Sequence, residues 1–152
     1  MYLVFFGLLV PLIGLATFGY RVAMIYFAVR DTCYKAAKSS TFTNAGLNAA
    51  SVWTSDTSAW FGISAGSTEQ IFIVTQPIAG GAETVQAVKL AAPPNTQVNM
   101  YFIRLIANCQ IAPFFPLNGW TYQGLNIPGL TTSFPVTMKY QYYVENTSGL
   151  TQ

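Results

Sequence analysis

The sequence predicts an α+β fold in which a long apolar N-terminal α-helix is followed by a small antiparallel β-sheet head of four to five strands. Three observations carry this expectation. Met1 to Tyr20 (MYLVFFGLLVPLIGLATFGY) contains no charged residue, and the apolar run resumes as VAMIYFAV directly after Arg21. Near the other end, Val136, Met138, Tyr140 and Tyr142 alternate with Thr137, Lys139 and Gln141, the period of a strand with one buried face. The segments between candidate strands are short and punctuated by Pro or Gly, too short for the helical crossovers that parallel strands need.

Residues 1–38 read as a single helix. At about 1.5 Å per residue, some 20 helical residues cross a hydrocarbon core of about 30 Å, so the uncharged run is long enough to span. Arg30, Lys35 and Lys38 all follow it, which suits the helix dipole and sets the far end at a charged interface. No Lys or Arg precedes Arg21, so the run lacks the basic opening of a secretory signal. Met1 is therefore read as the start of a processed chain, or of one missing its basic leader. Pro11 removes the hydrogen bond to the Gly7 carbonyl and loosens that turn by roughly 3 kcal/mol in water. Gly7, Gly14, Arg21, Ala28 and Lys35 recur every seven residues and form one stripe, whose small members let another helix approach closely in an apolar medium. Arg21 itself has two readings. It pairs with an acid, Asp31 or one on a neighbouring chain, or it reaches toward lipid head groups.

Residues 39–66 are rich in Ser, Thr, Ala, Gly and Asn and carry one charge, Asp56. Small polar residues favour turns, while Trp53, Trp60 and Phe61 demand something to pack on. The expectation is an ordered loop with one short helix over about 47–52. Residues 67–152 form the head. Strands are expected in EQIFIVTQ, TVQAVKL, QVNMYFIRLIANCQI and SFPVTMKYQYYVEN, separated by PIAGGAE, AAPPNT and PFFPLNGW.

Composition narrows the function classes. Of 152 residues, only 8% are charged against 52% hydrophobic, which excludes wholesale disorder. Seven basic against five acidic residues provide no dense basic patch, so no nucleic-acid partner is expected. With no histidine and two cysteines, Ser-His and Cys-His relays and most metal sites are ruled out, and no cofactor is implied. AGGAET lacks the Lys and spacing of a phosphate loop. Nothing in the spacing of Asp31, Asp56, Glu69, Glu83 and Glu145 brings two carboxylates together, so catalysis is not expected. The nine Tyr and eleven Phe read as core and subunit interface.

The stretch FFGLLVPLIGLATFGYRVAMIYFAVRDTCYKAAKSS resembles type IV pilin-like subunits, and more narrowly the TadE-like pilins of tight-adherence systems. Pro11 after a short apolar lead, the step Phe18-Gly19-Tyr20-Arg21, and the exit from Ala28-Val29-Arg30-Asp31 to Ala36-Ala37 carry the likeness. QIAPFFPL, IPGL and the final TMKYQYYVEN resemble that family's Pro-rich turn and last strand. Where type IV pilins carry a Glu at the fifth position of the processed chain, this sequence has Phe5. The resemblance implies a structural subunit held in the membrane before assembly and then polymerised with copies of itself into a surface filament for adhesion or cell contact. It also implies a prepilin peptidase and an assembly ATPase as partners. A minor or priming subunit retained in the membrane, and a single-span membrane protein with a binding head, are the competing readings. An exported chain with two cysteines commonly pairs them, so Cys33 and Cys109 are the disulfide candidates, and two buried thiols the alternative. Asn146-Thr147-Ser148 fits an N-glycosylation acceptor, and Ser39 to Ser58 offers O-linked positions.

Overall fold

The computed structural model describes residues 2–65, 70–113 and 132–152, with side chains described from Leu8 onward apart from residues 10 and 11. Helix α1 (Tyr2–Ala37) has 36 residues, about 54 Å at 1.5 Å each, and runs unbroken through Pro11. Its two halves differ in their surroundings. From Arg21 onward, Ile25, Ala28, Val29, Thr32, Cys33, Ala36 and Ala37 are buried, a three-and-four spacing that keeps one face on the head. Ahead of Arg21, Leu8, Leu12 and Leu15 are 67%, 59% and 70% exposed, so this half projects from the head.

The stretch expected to be a loop is mostly helical. Helix α2 (Phe42–Thr57) replaces the short helix expected over 47–52. Thr41 caps it, accepting at Oγ1 a hydrogen bond of 3.1 Å from the Asn44 amide. Ala45, Ala49 and Trp53, four residues apart, are buried against α1, where Ala36 and Ala37 permit close approach. Low intrinsic propensity is overridden by that packed face. Trp53 then meets Trp60 edge to face at 5.5 Å, which answers the demand of both rings for a partner.

Five antiparallel strands form one sheet: β1 (Ile63–Ala65), β2 (Gln70–Pro77), β3 (Thr84–Gln86), β4 (Asn99–Ile111) and β5 (Phe134–Tyr143). β4 is central. It pairs with β5 along one edge and with β2 and then β1 along the other, and β3 pairs with β2. β1 lies within the stretch expected to be a loop, and of TVQAVKL only Thr84–Gln86 forms a strand. Tyr101, Ile103, Leu105, Ala107, Cys109 and Ile111 of β4 are all buried on the face toward α1, alternating with less buried neighbours. The alternation anticipated in β5 is present, with Val136, Met138, Tyr140 and Tyr142 packed on the same core.

Three ring pairs align α1 with β5: Phe18–Phe134 at 5.4 Å, Tyr26–Tyr140 at 6.0 Å and Tyr34–Tyr142 at 5.1 Å. From residue 18 to 34 is about 24 Å of helix, and from 134 to 142 about 26 Å of strand. The two elements therefore run side by side in the same direction, and the sheet ends at the row Ile63, Ile111, Phe134, level with Phe18. At the far end the C-terminal turn Thr147–Thr151 closes over the α1–α2 junction, with Leu150 buried and its carbonyl accepting from the Leu90 amide at 2.8 Å.

Candidate functional site at the exposed helix and its exit from the head

The surface most in need of an explanation is the uncharged, exposed half of α1. Among the described residues, α1 is the one helix long and apolar enough to cross a membrane. Leu8, Leu12, Ile13, Leu15 and Tyr20 expose large apolar side chains that an aqueous domain would bury. A Cβ placed on Gly14 meets no other atom within 4 Å, so this small residue sits on an open face. The surroundings of Gly7 and Pro11 lie outside the described residues.

The seven-residue stripe does not stay on that open face. Arg21 and Ala28 are 5% and 4% exposed and turn into the chain's own head. A straight helix drifts by about 20° per heptad; Arg21 and Ala28 are covered by the head, while Lys35, the last member of the stripe, is exposed again.

Arg21 marks the point where the helix leaves the head. Its Nη1 donates to the Ala112 carbonyl at 2.6 Å, and its guanidinium carbon lies 5.9 Å from the centre of the Phe61 ring. Gly62 makes this seat: with φ at +69° it adopts a left-handed conformation, and a Cβ there would run into the guanidinium. The Gly62 carbonyl also accepts from the Ala112 amide at 2.9 Å, so the start of β1 and the end of β4 close on each other around the arginine. Within the chain Arg21 does not pair with Asp31, which is ten residues on, about 15 Å along the helix, and its buried side chain turns into the head rather than outward. The sequence singled out Phe61 only as a ring in need of packing and did not single out Gly62 or Ala112; left-handed backbone and a carbonyl partner leave no pattern in composition.

Cys33 and Cys109 are not joined. The Cys33 Sγ donates to the Ile103 carbonyl at 3.3 Å. Cys109 lies six residues further along the same strand, about 20 Å at the rise of a strand, far beyond the span of a disulfide. Both thiols are buried. What joins the helix end to the head is packing, supplemented by the ion pair of Lys38 and Glu145 at 3.4 Å. Asn146 is exposed as expected, but its side-chain nitrogen donates to the Ser40 carbonyl at 2.9 Å, so the atom a glycan would use holds the C-terminal turn to the α1–α2 junction. The Pro-rich QIAPFFPL and IPGL and the carboxylate Glu69 fall mainly or wholly outside the described residues.

On the sheet's outer face Arg104 forms a two-pronged ion pair with Glu83 at 2.7 and 2.8 Å and also donates to Gln141. The hydrogen bonds from Arg104 to Glu83 hold the Glu83 carboxyl below its ordinary value. Alongside α1, a groove of about 490 Å³ is lined by Phe27, Arg30, Asp31, Tyr34 and Tyr142. Comparison with known proteins yields no relative: no family model matches the chain, and neither the curated proteins nor the solved structures contain a significant match.

Proposed function

We propose that this chain is a structural, pilin-like subunit that is anchored in a membrane by the first half of α1 and polymerises through that half into an extracellular surface filament for adhesion or cell contact. One observation carries the reading: the first half of α1, uncharged up to Arg21, projects from a folded head with large apolar side chains exposed. In lipid such a surface is solvated. Drawn into water it would expose on the order of 1,500 Å² of apolar area, costing tens of kcal/mol at about 25 cal/mol per Å². Burial against identical helices removes that cost, and a contact between unlike faces of successive copies propagates as a fibre because it does not close on itself. The head, covered by its own core, forms the filament's outer layer. Assembly in this scheme depends on a prepilin peptidase and an assembly ATPase.

The test uses Gly14→Leu, which the open space around Gly14 allows without disturbing the monomer. Sheared cell-surface fractions of the parent are expected to contain fibres built of this chain by electron microscopy. The variant is expected to insert in membranes as before and give few or none. Should the parent chain stay in the membrane fraction, monodisperse in detergent and without fibres, the reading fails.

A further inference from the structure

We infer that the head carries its own surface for self-association: the open edge of β5 on one copy pairs, as an antiparallel ladder, with the open edge of β3 on the next, so that one sheet continues from head to head. This rests on the reading proposed above, in which all copies point the same way, and adds a contact outside the helix.

Three hydrogen bonds at the strand ends fix which way the backbone groups point. The Val144 amide donates to the Tyr101 carbonyl, Ile78 to Val98 and Ala112 to Gly62. In an antiparallel pair, bonded residue pairs alternate with unbonded ones. Even-numbered residues of β5 therefore bond to β4, and the N–H and C=O groups of Thr137, Lys139, Gln141 and Tyr143 point away from it. Even-numbered residues of β2 likewise bond to β4, which leaves Ile73 and Thr75 to bond Gln86 and Thr84 of β3. Val85 then turns its N–H and C=O outward. Among the described residues no backbone hydrogen bond meets these outward groups, and all five residues are exposed. Such a row is a template for a further strand.

The two edges are complementary because the sheet is four strands wide along the path β3–β2–β4–β5. Each strand is antiparallel to its neighbour, so the outer two run in opposite directions. Copies oriented alike thus bring β5 and β3 together antiparallel. The faces match as well. Val85 lies opposite Val74, and Val74 opposite Phe102, on the face turned from α1. Thr137, Lys139, Gln141 and Tyr143 share that face, so joining the edges keeps every α1 on one side of the sheet. Three or five strands in the path would fail on direction and on face.

Charge agrees with topology. The one charged residue of β5 is Lys139, and the one between residues 79 and 88 is Glu83, whose side chain stays 44% exposed beside Arg104. Unlike charges on neighbouring strands attract. Pairing β5 with β5 would instead draw two Lys139 side chains together and invert one copy, sending its rod the opposite way. Pro135 has no N–H and ends the ladder on the β5 side. Since unlike edges meet, the contact does not close on itself and adds copies without limit.

The test is disulfide trapping in the full chain, in membranes and in the sheared surface fraction of producing cells. Val85→Cys is combined in turn with Thr137→Cys, Lys139→Cys and Gln141→Cys under mild oxidation; the native thiols are buried and do not compete. Within one chain Val85 is level with Tyr143 and three strand spacings from it, about 14 Å. Residues 137, 139 and 141 lie farther still, beyond the span of a disulfide, so any bond formed joins two copies. At least one combination is expected to give a ladder of dimers, trimers and larger species on nonreducing gels, several-fold above every single variant. Fibres in which no combination is trapped overturn this inference and leave the filament standing. Dimers that form from a single variant on β5 and stop at two assign β5 to β5 and overturn it too. A ladder in membranes without fibres upholds the edge contact and sinks the filament. A chain that stays monodisperse in detergent, with neither fibres nor trapped species, overturns both.

Discussion

Replacing Gly62 with alanine adds one methyl group at the point where the helix, β1 and β4 meet, and the structure divides its cost into two parts. A residue with a Cβ in the left-handed conformation that Gly62 adopts, φ +69°, costs roughly 1–2 kcal/mol on backbone grounds alone. The new methyl also displaces the Arg21 guanidinium, whose hydrogen bond to the Ala112 carbonyl is of the charged class worth about 1.5–3 kcal/mol. Gly62→Ala should therefore lower stability by about 2.5–5 kcal/mol. In an Arg21→Ala background nothing remains to be displaced, and the same substitution should cost only about 1–2 kcal/mol. The coupling of about 1.5–3 kcal/mol between the two sites is the informative quantity. It is measured by urea unfolding of the full chain in mild detergent, following the near-ultraviolet circular dichroism of the Trp53–Trp60 pair. Equal costs of Gly62→Ala in both backgrounds would refute the seating of the guanidinium on Gly62.

Three further outcomes are expected. Under native, nonreducing conditions the intact chain should show two unmodified thiols, without the two-hydrogen mass loss of a disulfide, and Cys33 and Cys109 should react with an alkylating reagent only after unfolding. A methyl on Gly149 would meet the backbone of Ser40 and lie 3.1 Å from the Thr41 Cα, with no flexible side chain to give way. Gly149→Ala should thus cost about 1–3 kcal/mol in unfolding experiments and release the C-terminal turn first, seen as faster amide exchange at Thr43 and Leu90. The Glu83 carboxyl is depressed in the folded state by its hydrogen bond to Arg104, so its stabilising contribution is full above the ordinary value of 4.5 and is lost as pH falls through the lower folded value. Acid titration below pH 4.5 should loosen β3 in the parent, and Glu83→Gln should remove that acid-dependent step.

Patterns with a fixed period were legible in the sequence. The uncharged run gave away α1, and the alternation around Tyr140 gave away β5 and its buried face, because side-chain direction repeats every two residues in a strand whatever surrounds it. Helix α2 was harder to read. Ser, Thr, Asn and Gly argue locally for turns, and the face formed by Ala45, Ala49 and Trp53 acquires its value only once the alanines of α1 lie opposite it.

Sequence alone determined that a greasy, uncharged rod precedes a weakly charged head with an antiparallel sheet, since hydropathy and periodicity are properties of the chain itself. Tertiary structure alone decided which side of the rod is free: the sheet and α2 take the second half of α1, turning Arg21 and Ala28 inward and leaving Leu8, Leu12 and Leu15 outside. It also decided that the two cysteines stay apart, because both meet β4, six residues from each other along an extended strand. Arg21, read from the sequence as a charge that pairs with an acid or reaches toward lipid head groups, meets a backbone carbonyl and an aromatic ring within the chain, since those partners are brought to it by segments far away in the sequence.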